Sequence, residues 1–375
     1  MARRLTVVQL LPALESGGVE RSTLEIAAAL VAAGHRSIVV SAGGRLVEPL
    51  RAAGSEHVAL DIGRKSLLTF RRIRPLRRLL AEAGADIVHA RSRLPAWIGW
   101  LALRGWRGPG RPHFVTTVHG LNSPSRYSAI MARGERVICV SRTVRDYVLR
   151  HYPATDPARL VVVPRGIEPA AFPRAAAPPP GWREALAATH PELDGGRLLL
   201  MPGRGTRLKG HGDAIALLAA LRRRGIDARL WLMGAAGRGR EGYLDELRAL
   251  AREAGVADVL AIGPPRADVA QAYAACDLVL QLSRKPEAFG RTVLEALSVG
   301  RPVLGWDHGG VGELLAGLYP AGAVPLADLE ALEARALALL ENPPPAPVTI
   351  PHSLAAMQAA TLDVYARLVD PLPRR

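Results

Sequence analysis

Short apolar runs of strand type alternate along this chain with helical stretches, and glycines mark many of the joints between them. Such a rhythm leaves few architectures open. Parallel neighbours in a sheet need a long crossover, usually a helix, so the pattern specifies parallel sheets covered by helices. In the first half, residues 5–11 read as a strand, Ser16-Gly17-Gly18 as a turn and 19–33 as a helix. Runs at 36–41, 85–90, 113–118, 136–141 and 160–163 follow as strands, with 94–103 and 143–151 helical. Residues 172–182, with Pro173 and Pro178-Pro179-Pro180, break the pattern and are expected to form a hinge. The second half restarts with strand 197–201, helix 211–224, strand 228–233, helix 241–254, strand 259–262, helix 267–275, strand 277–283, helix 291–299 and strand 302–305. Pro343-Pro344-Pro345 separates a last helix near 352–369. The expected fold class is α/β, two Rossmann-like parallel-sheet domains over 1–170 and 171–350, with a C-terminal segment 351–375.

A chain of 375 residues, 49% of them hydrophobic, is long enough for two buried cores. Cys139 and Cys276 offer neither a disulfide framework nor metal spacing, and read as buried small apolar residues in a reducing compartment. No export signal or membrane span is legible, so a cytoplasmic location is expected.

The net charge of +15 is unevenly spread: residues 1–170 hold 26 Lys and Arg against 12 Asp and Glu, whereas 171–375 hold 23 against 22. The surplus asks for an anionic partner on the first half. Arg64-Lys65 and the run containing Arg71, Arg72, Arg74, Arg77 and Arg78 mix cations with apolar residues, which suits an anionic membrane or acceptor surface; a solvated arginine-rich helix is the other reading. Nucleic acid is not expected, because no helix-turn-helix, zinc-finger or RNP-type pattern is present and only 5% of residues are aromatic.

Two motifs in the second half carry the chemistry. Pro286-Glu287-Ala288-Phe289-Gly290-Arg291-Thr292-Val293-Leu294-Glu295 puts two carboxylates eight residues apart across a glycine turn that opens a helix. Upstream, Gly203-Arg204-Gly205-Thr206-Arg207-Leu208-Lys209-Gly210 is a glycine-rich basic loop. Carboxylates suit sugar hydroxyls, and cations with free helix N-terminal amides suit a diphosphate. Both motifs follow strands, where open α/β sheets bind ligands. Lys209 is one of only three lysines, with Lys65 and Lys285, in an arginine-rich chain. No Asp-x-Asp occurs, so no metal-holding carboxylate pair is expected.

The paired-glutamate motif and the basic loop together resemble the donor site of retaining glycosyltransferases of family 4 with the GT-B fold, and the pattern is similar to bacterial lipopolysaccharide-core transferases. The resemblance implies two Rossmann-like domains facing a cleft and a C-terminal helix crossing back to the first domain. It assigns Glu287 to the donor sugar, Phe289, Gly290, Arg291 and Thr292 to backbone contacts, Glu295 to the ribose, and Arg204 and Lys209 to the diphosphate. Gly17 and Gly18, in Glu15-Ser16-Gly17-Gly18-Val19-Glu20, match the family's N-terminal loop, and His119 matches a histidine beside the reacting sugar. Asp307-His308-Gly309-Gly310-Val311-Gly312-Glu313 resembles a further signature; for Glu313, a turn followed by a helix start is the alternative. Arg165 and Glu168, in Val163-Pro164-Arg165-Gly166-Ile167-Glu168, depart from the family's Asn and Asp.

The implied activity is metal-independent transfer of a hexose-type sugar, with retention, from a nucleoside-diphosphate sugar to an anionic glycolipid or lipopolysaccharide acceptor at the inner membrane face. A UDP-sugar is the expected co-substrate, and no cofactor is expected. Two rivals are a GT-B nucleotide-sugar epimerase, which needs no acceptor, and a non-catalytic anionic-membrane adaptor, which would tolerate loss of both glutamates.

Overall fold

The computed structural model describes residues 3–15, 17–175 and 177–370, so Ser16 of the N-terminal glycine motif lies outside the described residues. The chain divides into two compact units: 1–165 with 354–375, and 166–353.

The first unit is built on β1 (Thr6–Leu10), β2 (Arg36–Ser41), β3 (Glu56–Ala59), β4 (Ile87–Ala90), β5 (His113–Val118), β6 (Arg136–Cys139) and β7 (Leu160–Val162). All pairs are parallel, in the order β3-β2-β1-β4-β5-β6-β7. Val7, Val8, Ile87, Val88 and Val115 are fully buried, as expected for strands covered on both faces. The helix Leu354–Val369 supplies Met357, Val364 and Tyr365 to the same core as Val7, Leu30 and Ile87, so the end of the chain completes the first unit.

The second sheet comprises β8 (Arg197–Leu200), β9 (Ala228–Met233), β10 (Leu260–Gly263), β11 (Leu278–Gln281), β12 (Val303–Trp306) and β13 (Ala323–Val324), again all parallel, in the order β10-β9-β8-β11-β12-β13. In both sheets the order reverses next to the first strand, between β1 and β4 and between β8 and β11. Loops leaving those strands splay apart and leave room for a ligand.

The structure differs from expectation in the linker. The chain leaves the first unit at Arg165, and Ile167 already belongs to the second, where its N–H donates to the His352 carbonyl and it forms a parallel bridge with Ser353. The proline-rich stretch is docked within the second unit: Arg301 Nη2 donates to the Ala175 carbonyl at 2.8 Å, and the helix Trp182–Thr189 begins where a hinge was expected. Proline density alone does not separate a linker from a strap held by side-chain donors. Strands β3 and β13 and the helices Val47–Ala52 and Leu329–Glu341 also escaped the periodicity reading, whereas the helices Ile73–Glu82 and Gly309–Leu318 correspond to the alternative readings of the arginine run and of the Glu313 motif. Glu313 sits inside the helix Gly309–Leu318.

Candidate functional site

In the second unit the loops after β8 and β11 meet at the reversal of strand order. Gly210, with φ 78°, could not carry a side chain there, since a Cβ would stand 1.9 Å from the Leu282 carbonyl oxygen. That close approach brings Lys209 onto the β11 loop, where its Nζ donates to Glu287 Oε1 at 2.5 Å. Both side chains remain about a quarter exposed, at 26% and 24%, so a ligand can reach the pair. Ser283 Oγ also donates to Glu287 Oε1. The Glu287 backbone is fixed in turn by the loop after β12: Gly310 N–H donates to the Glu287 carbonyl at 2.7 Å, and His308 Nε2 donates to the Ser283 carbonyl at 2.6 Å. Gly309 adopts φ 61°, and a Cβ there would lie 2.8 Å from the Glu287 carbonyl oxygen. Arg204 is exposed and has no hydrogen bond or ion pair among the described residues.

Gly290, left-handed at φ 103°, turns the chain into the helix Arg291–Val299, and Val293 N–H donates back to the Gly290 carbonyl at 3.0 Å. The helix therefore sets its positive dipole end at the Phe289–Thr292 segment. Phe289 itself is buried, its ring edge-on to His352. Glu295 accepts from the Tyr273 hydroxyl at 3.0 Å, and burial together with the Glu295 charge pushes that phenol well above its ordinary range. Arg291 reaches back to the Gly166 carbonyl at 2.7 Å. Beneath the β8 loop, Arg284 Nε donates to buried Asp213 at 2.8 Å. His211, fully buried, is pushed down to about 4 by desolvation.

In the first unit, Gly17 and Gly18 lead from β1 into the helix Gly18–Ala32; Gly17 takes φ 147°, and a Cβ on it would strike the Glu20 carboxylate. His119 stands just beyond β5. A cavity of about 340 Å³ is walled by His119, Lys65, Arg91, Arg93, Asn122 and Tyr127 among others, and among the described residues no Asp or Glu lines it. Arg91, 2% exposed, donates through Nε to Gln9 at 2.7 Å, while its Nη2 has no hydrogen-bond partner among the described residues. Arg93 lies over the Tyr127 ring. Burial, with Arg165, Arg91 and His89 nearby, drives the His119 imidazole well below its ordinary pKa.

The arginine run separates into two kinds. Arg71, Arg72 and Arg74 are exposed beside Leu67, Leu68 and Phe70, which are 86%, 61% and 40% exposed. Arg77 instead turns inward and donates to the Ala102 carbonyl at 2.8 Å, capping the last turn of the helix Arg93–Arg104; Arg78 pairs with Glu82 at 2.6 Å. The sequence reading missed Arg91 and Arg93 in the cavity wall and Ser283 under Glu287. Arg91 directly follows β4, so its position at a strand end was the available signal.

Residues 16–171 match the family model Glycosyltransferase Family 4, and residues 183–352 match Glycosyl transferases group 1. The chain is 30% identical over 327 residues to a D-inositol 3-phosphate glycosyltransferase of Xylanimonas cellulosilytica, covering 79% of this chain and 75% of that protein. It is 31% identical over 249 residues to the Actinosynnema mirum enzyme of the same name, covering 60% of this chain and 57% of the relative's length. A glycosyltransferase from Rickettsia africae superposes with a TM-score of 0.82 at 26% identity, covering 98% of this chain and 100% of the other. Anabaena HepE in complex with UDP and glucose gives 0.74 at 19%, covering 96% and 99%, and WaaG, involved in lipopolysaccharide biosynthesis, gives 0.66 at 20%, covering 98% and 96%. The last two carry the fold alone: two Rossmann-type units of the GT-B class.

Proposed function

The chain belongs to the glycosyltransferase family whose two models match its successive halves, and on that membership we propose that it transfers a sugar from a nucleoside-diphosphate donor to an acceptor hydroxyl. The observation that carries this reading is the Lys209–Glu287 contact: a cation and a carboxylate 78 residues apart in sequence meet at the reversal of strand order. Lys209, with Arg204 on the same loop, would hold the diphosphate and stabilise the charge that develops on it as the sugar–phosphate bond breaks. Glu287 would accept from the donor sugar's hydroxyls, Glu295 from the ribose, and the Phe289–Thr292 segment would offer amides. His119 would position the transferred sugar.

Our reading of the stereochemistry is retention by front-face attack, with the departing diphosphate taking the acceptor proton. No carboxylate is assigned as a nucleophile for a double displacement. A UDP-sugar donor is supported by the UDP and glucose complex of the fold neighbour HepE, and metal independence by the lack of Asp-x-Asp. For the acceptor, an anionic lipid-linked or lipopolysaccharide-core glycan at the inner membrane face is supported by the exposed Leu67, Leu68, Phe70, Arg71, Arg72 and Arg74 and by the fold neighbour WaaG. A small phosphorylated polyol is the second reading, favoured by the acid-free cavity with Lys65, Arg91 and Arg93 and by the relatives' D-inositol 3-phosphate names. Among the described residues no helix is long and apolar enough to cross a membrane.

Thermal unfolding with UDP, GDP, ADP and CMP in EDTA tests the donor site, since a ligand at 100 times its Kd stabilises the folded state by about 2.7 kcal/mol. One nucleoside diphosphate should raise Tm without added metal. No shift with any of them, or a shift only with Mn²⁺, would show that the donor site has been misread. Product analysis with that nucleotide's sugars, with and without inositol phosphate or a lipid acceptor, then separates transfer from epimerisation.

A further inference from the structure

His119 has three polar neighbours that fix what its ring can do. Arg165 Nη2 points at Nδ1 of the imidazole, and the same guanidinium donates through Nη1 to Ser22 Oγ. A guanidinium has five N–H donors and no acceptor, so Nδ1 must supply a lone pair and cannot carry a hydrogen. The neutral ring then carries its one hydrogen on Nε2. That nitrogen is shielded from solvent and has no partner among the described residues, while His119 itself forms part of the cavity wall. The charged groups facing the ring are Arg165, which follows β7, and Arg91, which follows β4; His89 of β4 faces it too, and is held between Tyr365 Oη and Thr117 Oγ1 at 2.6 Å each. None of these carries a negative charge that would favour an imidazolium.

We propose that Arg165 is a positioning residue that locks His119 as a neutral imidazole protonated on Nε2, a ring that holds one hydrogen-bond donor and is neither an acid nor a base. A substrate group that reaches Nε2 must bring an oxygen lone pair, of a sugar hydroxyl or a phosphate, and no proton moves through the ring during transfer. Where the resembled family carries Asn, this chain has an arginine whose reach spans Ser22 and His119 at once. The role in transfer rests on the proposed function; the tautomer does not.

The test is ¹⁵N NMR of histidine-labelled protein, with His119→Gln identifying the signal. The parent should show an unprotonated Nδ1 and a protonated Nε2, unchanged from about pH 8 to about pH 5, the range over which an ordinary histidine titrates. In Arg165→Met nothing donates to Nδ1, so the signal should show a mixture of the two neutral tautomers, and kcat/KM should fall several-fold at every pH in that range, because burial and Arg91 still hold the ring neutral. Arg165→Lys, which keeps a donor and a charge, should retain the parent tautomer and much of the parent kcat/KM. A hydrogen on Nδ1 in the parent, a charged ring there above about pH 5, or an Arg165→Met spectrum identical to the parent would overturn the proposal. A locked tautomer in a protein that transfers no sugar would leave it standing and sink the functional reading alone.

Discussion

Lys209 and Glu287 lie in the segments that follow β8 and β11, and that placement is what singled them out in the sequence: ligand loops of a parallel sheet lie at strand ends. Lys209→Ala should lower kcat by about 10²-fold, comparable with removal of one oxyanion donor, while the fold survives; activity within about threefold of the parent would remove Lys209 from the reaction. The Arg165–His119 contact was not legible in the same way, because it depends on β5, β6 and β7 lying side by side, and the sequence shows only an unusual residue at 165. His211 carries a pH dependence with a definite sign. Above its ordinary pKa of 6.5 the ring is neutral in both folded and unfolded chains. Below it the unfolded chain takes up a proton that the folded site, held down to about 4, refuses. Stability is therefore complete above 6.5 and declines as pH falls toward 4, by on the order of 3 kcal/mol at 1.36 kcal/mol per unit. Urea unfolding at neutral and mildly acidic pH should show this decline, and His211→Gln should make it shallower.

The helices His211–Arg223 and Arg291–Val299 fall within a residue or so of their expected ends. The missed strands are short or lie at a sheet edge. Glu56–Ala59 lies at the edge of its sheet with both ends exposed, and Ala323–Val324 is only two residues long. The last helix shows a further kind of information, a single side chain that does two jobs. Tyr365 is fully buried in the first unit's core, and its hydroxyl meets His89 Nδ1. Tyr365→Ala should cost about 3–5 kcal/mol through the cavity it leaves, whereas Tyr365→Phe should cost about 1 kcal/mol, the worth of one buried hydrogen bond. Tryptophan fluorescence during urea titration measures both. Equal losses for the two would mean that the hydroxyl, not the packing, holds the helix.

The uneven charge of the whole chain was plain from composition, yet which arginines face outward was not. Arg77 and Arg78 belong to the same sequence run as Arg71, Arg72 and Arg74, but a helix end and a neighbouring Glu82 take them up. Changing Arg71, Arg72 and Arg74 to Glu should abolish sedimentation with anionic vesicles and leave nucleotide affinity alone, since each arginine near such a surface contributes about 1 kcal/mol, screened over ~10 Å at moderate salt. Equal binding to neutral vesicles, or no change in the variant, would return these residues to an ordinary solvated surface. The bridge between Ile167 and Ser353 clasps the two ends of the second unit, and Met357, Val364 and Tyr365 of the first unit come only after it. On the ribosome this reverses the order of the halves: the later-encoded unit has all its residues in hand first, while the earlier one waits with an open sheet face until the last helix emerges. A stalled or truncated nascent chain would thus expose the strands made first, and a chaperone acting on this protein has its work at the beginning of the sequence, not at its end.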